Sequence, residues 1–378
     1  MSGTRMQSWV RAMGMASALG PLVPGCAAFR ARLTRSTPAP EFETFFPGDE
    51  RPGTVAVFAA GAATYGFSGV GRLVALLVET LVDLGSREEL EQLNPGTGLY
   101  LALPDPETRG FTTGKEPSDE DPPDAARRVA LLAERVVRGA WDALRLPGWK
   151  GPLRSFHGGN AAFAQALAAA EEDLRTRQTQ AGLVCAVDSL VSTRTLELLN
   201  AEGQLKTAAR PVGLMAGEAG VALLLVRPPP ASTETPEPRV LVRDVVLGME
   251  PNLPGTGRPS DGRAITQFAL AALGRLLPGE PLPVLVLDHD GRPYRGHEWG
   301  MLLLHLSTLD PRFRDCRTWL PADGFGATGA ASGGVGTAVA LQALQRGYSR
   351  TPSLLVLSSS DTGERAAIHL AVAPSRAG

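Results

Sequence analysis

Residues 324–338 read GFGATGAASGGVGTA, and the first six satisfy G-x-G-x-x-G, the fingerprint of a dinucleotide-binding turn. With 43 glycines among 378 residues, such a match says little by itself. It does make a demand on its surroundings: a strand before, a helix after, then further parallel strands with an acidic residue closing the next one. After GFGATG the chain supplies a helix pattern, the strand SLLVL and one last strand, which leaves no residues to build a nucleotide crevice. Asp361 follows the next strand but fits a turn, SSSDTGE, as well as it fits a ribose contact. The glycines are therefore expected to serve close helix packing.

Working outward, the second half of the chain repeats the first. GGNAAFAQALAAAEE, AGLVCAVDS and EAGVALLLV (158–226) run in the same order as GATGAASGGVGTAVALQAL, SLLVLSSSDTG and ERAAIHLAV (326–372). Upstream, WVRAMGMASALG matches RVLVRDVVLGME, GVGRLVALLVETLVDL matches AITQFALAALGRLL, and TGLYLALPD matches PVLVLDHDG. Period-2 apolar runs predict strands at 8–13, 54–58, 98–103, 183–187, 221–226, 240–247, 284–287, 354–357 and 368–372. Helical spacing predicts helices at 69–84, 125–144, 160–177, 192–201, 264–277, 297–307 and 333–345. Polar, proline-containing tracts at 107–126 and 227–239 read as loops. The expected organisation is an N-terminal half (1–228), a Pro-rich linker (229–239) and a C-terminal half (240–378), one α/β unit used twice.

Composition narrows the function. Hydrophobic residues are 43% and charged residues 20%, which is ordinary globular usage. A net charge of -2 gives no bulk attraction to nucleic acid or to an acidic membrane, and no run approaches the ~20 apolar residues of a membrane span. Cys26, Cys185 and Cys316 form no CxxC pair, so neither a disulfide framework nor a zinc site is expected; a reducing cytoplasm fits. MGMASALGPLVPGC (13–26) superficially resembles a lipoprotein signal, but Gly14, Gly20, Pro21 and Pro24 interrupt its apolar run.

The repeated unit, with small-residue helices at its centre, resembles the thiolase-like superfamily, and its motifs resemble the β-ketoacyl synthase branch. VRAMGMASALGPLVPGCAAFRA (10–31) is similar to the opening strand and loop of those synthases. RPVGLMAGEAGVALLLV (210–226) is similar to their RPFDxxRxGFVxGEGAG segment, and GFGATGAASGGVGTAVAL (324–341) to GHTxGAAGxxGxxKAxL. The resemblance implies a five-layer αβαβα fold of two duplicated halves and assembly as a homodimer or a heterodimer of related chains. It implies no cofactor and no metal, and acyl carrier protein as a possible partner.

It also implies a chemistry: a cysteine at a helix start takes an acyl group, and two histidines and a lysine support decarboxylative condensation. Tested position by position, the motifs are degenerate. The cysteine's place falls on His157 in SFHGGNAAF, or on Gly158 or Gly159 if the register slips. Cys185 lies inside a buried strand pattern and reads as a small hydrophobe. The first histidine corresponds to His289 in VLVLDHDG, where a structural role in a polar turn is an equal reading. His297, Glu298 and Trp299 are expected to cap and pack the start of the next helix. Ala327 stands at the second histidine, and the lysine falls near Ala322. Phe156, Gly158, Asn160, Ala327 and Thr328 would line the remnant pocket.

Since such groups act as one unit, losing several removes most of the rate. The leading expectation is a thiolase-fold partner or acyl/carrier-binding subunit without condensing activity. The alternative is an acyl-thioester transferase or hydrolase in which His157, facing His289, acts as general base, its unperturbed pKa being ~6.5.

Overall fold

The computed structural model describes residues 7–39, 41–45, 50–93, 96–111, 125–228, 238–274 and 279–373. Most of the predicted linker (229–237), much of the loop 107–126 and the end of the predicted helix 264–277 lie outside the described residues.

The strands that matter are β1 (Ser8–Ser17), β2 (Thr97–Ala102), β3 (Leu153–Phe156), β4 (Ala181–Ser189) and β5 (Glu218–Val226) in the first half. Those of the second are β6 (Val240–Met249), β7 (Val284–Leu287), β8 (Thr318–Trp319), β9 (Ser353–Ser359) and β10 (Glu364–Val372). From the middle outward the first half reads β1-β5-β4-β2-β3 and the second β6-β10-β9-β7-β8, the same order twice. Pairing agrees as well: β2–β4 and β2–β3 are parallel, as are β7–β9 and β7–β8, while the inner strands pair antiparallel. A short antiparallel seam, Ser8 with Val242 and Trp9 with Leu241, joins the halves into one ten-stranded sheet.

Strand alternation then sorts side chains into layers. In β2 and β4, Leu99, Leu101, Leu183, Cys185 and Val187 face the helices α1 (Gly69–Leu84) and α2 (Ala125–Ala143). Their neighbours Tyr100, Ala102, Val184 and Ala186 face inward to α3 (Ala162–Arg175). In the second half Leu285, Leu287, Leu355 and Leu357 face α5 (Arg263–Leu273) and α6 (Pro293–Leu309). Val286, Leu354 and Val356 face inward with α7 (Ser332–Gln345). The result is five layers, αβαβα, with α3 and α7 packed between the two halves of the sheet. A further helix, α4 (Thr193–Ala201), stands between β4 and β5, capped by Ser192, whose hydroxyl accepts from Thr195 N.

All residues of α7 from Gly333 to Leu344 are buried. A helix with no polar face belongs inside a core, and its glycines set how close it comes: a Cβ at Gly334 would lie 3.1 Å from Phe163 of α3 and from Val221 of β5. This is the role the glycine-rich stretch plays.

Four elements differ from expectation. β3 and β8 are short terminal strands with polar residues, which erase an apolar period. Leu22–Arg30 is helical because Pro24 falls in its first turn, where no N–H bond is lost. The predicted strand 54–58 is reduced to Ala56–Val57, paired with Thr37–Pro38.

Candidate functional site

A cleft of about 460 Å3 opens where the carboxyl ends of the parallel strands meet. Asp105 follows β2, His157 follows β3, Asp188 ends β4, Asp290 follows β7 and Asp361 follows β9, and all five line it.

Two turns of equal geometry form its base. Gly159 and Gly329 both have φ +52°, a left-handed value that suits glycine. Each opens a 3-10 turn, Gly159–Ala161 and Gly329–Ala331, that runs into α3 or α7. The helix starts superpose in conformation, Ala161 at φ -85°, ψ -5° and Ala331 at φ -85°, ψ -7°. Each turn is held by the other half. Ala161 N donates to Ser360 Oγ at 3.0 Å, and that hydroxyl donates to the Gly158 carbonyl. Ala330 N donates to Asp188 Oδ2 at 2.9 Å, and Ser189 N donates to Asp188 Oδ1 at 2.7 Å. Arg109 closes over the same carboxylate, Nη2 to Oδ2 at 2.9 Å and Nε to Oδ1 at 3.2 Å.

The structure brings His157, Asn160 and Ala327 to this one cleft. The His157 imidazole is half-buried and makes no hydrogen bond with a described residue. Asn160 and Ala327 also line a smaller adjoining cavity, together with Thr328, Ala322, Asp288 and Asp290. There Asn160 Nδ2 donates to Asp288 Oδ2 at 2.9 Å, a bond between halves. Phe156 and Gly158 line neither space. Phe156 packs on the central core beneath Arg154, whose guanidinium lies 5.7 Å from the ring centre. A Cβ at Gly158 would lie 2.4 Å from the Gln165 amide.

His289 is not brought opposite His157. It is absent from the cleft lining, and its buried Nδ1 lacks a hydrogen-bond partner among the described residues. Its ring lies against Gly296 of α6, where a Cβ would stand 3.3 Å from Cε1. Strand alternation explains this, since Asp288 and Asp290 on either side of it take the cavity-facing positions. The helix that follows starts at Pro293, four residues before the predicted start, so His297, Glu298 and Trp299 do not cap it. Trp299 is in the outer core, and Glu298 accepts from Arg365 Nε at 2.8 Å and from Ser359 Oγ at 2.6 Å.

The sequence reading passed over the charges that furnish the cleft. Arg292 donates to Asp290 Oδ2 through Nε (2.9 Å) and Nη2 (2.7 Å), and through Nη1 to Asp361 Oδ2 (2.7 Å) and Gln204 Oε1 (2.6 Å). Arg295 Nη2 and Tyr294 Oη reach Asp361 Oδ1 at 2.8 and 2.6 Å. Burial would raise Asp361, but Arg295 and Arg292 overrule it and hold its carboxyl well below the usual range. The same two guanidiniums overcome burial to lower Asp290. Asp288 goes the other way: burial pushes it up to about 6 despite Arg295, the Ser359 N–H and Asn160. A signal for these groups was present, an acidic residue at the end of an apolar parallel strand in AVDS and VLVLDHD.

None of the three cysteines lines the cleft. Burial raises Cys185 far above an ordinary thiol, Cys26 to about 12 and Cys316 to about 11. No cluster of three or more His, Cys, Asp or Glu suited to a metal ion occurs among the described residues, and no helix among them is long and apolar enough to cross a membrane.

No family profile and no curated protein matches the sequence. Solved structures match the architecture. A chain of the ketosynthase–chain length factor complex of Xenorhabdus doucetiae superposes with a TM-score of 0.68 at 13% identity, covering 97% of this chain and 98% of that one. The chain has the thiolase-like ketosynthase fold. The ketosynthase of module 6 of the bacillaene synthase of Bacillus subtilis is similar at TM-score 0.65 and 12% identity, over 98% of this chain and 72% of that one. A type II polyketide ketosynthase in complex with its acyl-carrier protein gives TM-score 0.68 at 11% identity, over 98% and 100%. The thiolase-like fold of two repeated halves inferred from the sequence is thus the fold observed.

Proposed function

We propose that this chain is a ketosynthase-like partner subunit that does not condense acyl chains, and that it acts by binding a second thiolase-fold chain or an acyl carrier. The observation that carries this reading is that no thiol lines the cleft at whose base both central helices begin. The amides of Ala161 and Ala330, at the two helix starts, are already bonded to Ser360 and Asp188 rather than held ready for an oxyanion. The His157 ring has no orienting partner among the described residues, and a base activating a nucleophile requires one. The terminal strand β3 pairs only with β2 among the described residues and offers an edge for strand pairing in a homodimer or heterodimer. Complexes of a ketosynthase with its chain length factor, or with a carrier protein, among the similar structures support the same kind of partner. Three free thiols fit a reducing cytoplasm.

The test pairs two measurements. Purified protein given malonyl-carrier and acyl thioesters is expected neither to release CO2 nor to carry a covalent acyl group. Affinity purification from the native cell is expected to recover a thiolase-fold chain or a carrier protein, and recovering neither counts against the reading. The alternative, hydrolysis or transacylation by His157 as general base, rests on that ring's place in the cleft. It predicts thioester turnover that disappears in His157→Ala, and turnover unchanged by the substitution rules it out.

A further inference from the structure

A second depression, about 520 Å3, lies against β8, the terminal strand of the second half, and shares no residue with the cleft. Phe29, Trp319 and Tyr348 form its floor, and Leu33 at its rim is 58% exposed. The Trp319 and Tyr348 rings lie 6.4 Å apart, and the Arg30 guanidinium covers the Tyr348 face at 4.5 Å. Past β8 the surface continues into an adjoining depression of about 410 Å3 that contains Arg317 and Arg350.

The guanidiniums here differ from those of the cleft. The side chains of Arg32, Arg317 and Arg350 make no hydrogen bond or ion pair with a described residue, and the Arg30 guanidinium lies over the Tyr348 ring. Asp323 is the sole acid lining the larger depression. The adjoining depression is lined by Arg312, Arg317 and Arg350 with Glu280 and Asp315, so the two together hold five arginines and three acids, a local net positive charge beside exposed apolar surface in a chain of net charge -2.

We propose that this groove docks an acidic segment of a partner polypeptide in extended form. β8 pairs with β7 alone among the described residues, so an incoming strand can bond to its open edge. An apolar side chain of the segment enters between Phe29, Trp319 and Tyr348. Carboxylates on either side meet Arg30 and Arg32 at one end and Arg317 and Arg350 at the other, where the planar fork of arginine matches a carboxylate. The arginines span both depressions, a length that suits a chain rather than a single small anion. The proposal uses none of the cleft and stands apart from the reading of the cleft as inactive.

Fluorescence anisotropy of the intact protein tests it, with a short labelled peptide alternating glutamate and phenylalanine, and a control with lysine for glutamate. The glutamate peptide is expected to saturate and the lysine peptide not to bind. Arg30→Glu with Arg32→Glu should weaken binding about tenfold or more, as should Arg317→Glu, while Arg263→Glu, an exposed site on α5, leaves it unchanged. All of these replace exposed side chains, and unchanged thermal melting verifies folding. Absence of glutamate-peptide binding overturns the proposal, as does equal loss from Arg263→Glu. Binding of phosphatidylserine vesicles in place of the peptide overturns it as well.

Discussion

The turn at Gly159 and the turn at Gly329 share a φ of +52° and a 3-10 entry into a central helix, yet different chemistry holds them. Around the first, a neutral hydroxyl from Ser360 bonds the helix start, and His157 stays open to the cleft. Around the second, the Asp188 carboxylate fills the turn and Arg109 covers it. Duplication preserved the backbone, because the left-handed conformation at both turns favours a residue without a Cβ. The side chains that touch each turn were free to diverge. Repeated geometry therefore identifies the two positions without assigning them equal roles.

The widest difference should appear on removing the holding groups. Asp188→Ala leaves a guanidinium and two amides without their partner and is expected to cost about 4 kcal/mol, whereas Ser360→Ala should cost about 1 kcal/mol. Urea denaturation measures both; equal losses would mean that charge does not distinguish the turns.

Next come the glycines themselves. A Cβ at Gly329 would lie 2.0 Å from Asp188 Oδ2, while one at Gly159 would lie 3.1 Å from Ser360. Both alanine variants pay ~1–2 kcal/mol for the left-handed backbone. Gly329→Ala adds a clash worth ~1–3 kcal/mol more, so its urea midpoint should fall well below that of Gly159→Ala.

A smaller effect depends on pH. Asp288 bridges to the first turn through Asn160, and burial lifts it to about 6. A carboxyl raised above its unfolded pKa holds its proton more tightly when folded. Its contribution is therefore complete in acid and is lost as pH rises through the folded value. Between about pH 5 and pH 7.5 this amounts to roughly 1 kcal/mol. Asp288→Asn keeps an oxygen for Asn160 and the Ser359 amide, and its stability profile should lack that part of the slope; an unchanged slope would place the titration elsewhere. His157→Ala should change stability least, within about 0.5 kcal/mol, because the ring makes no hydrogen bond with a described residue. A larger loss in thermal melting would reveal a partner for it.

The sequence carried the fold further than the site. Long apolar strands and the ordered repeat survive in the residue pattern because burial demands apolar side chains at fixed periods. The terminal strands β3 and β8 escaped notice, since RS in LRSF and the two-residue TW carry too little period. Ala327 and His157 were located by resemblance and do share the cleft. The expected opposition of His289 to His157 fails, because a one-residue step along a strand end reverses which face a side chain takes. Arg109, Arg292 and Arg295 were missed for a related reason: a buried charge is intelligible only with all its partners, and although Asp290 lies two residues from Arg292, Asp188 is 79 residues from Arg109 and Asp361 is 69 and 66 residues from Arg292 and Arg295.

The cross-holding of the two turns also bears on how the molecule melts. Each half begins its central helix on a group supplied by the other, and α7 has no face that either sheet could leave to water. A duplicated architecture would ordinarily allow two successive transitions in a calorimeter. Here neither half keeps its helix start once the other is gone, so heat should remove both in a single step, with calorimetric and van't Hoff enthalpies in agreement.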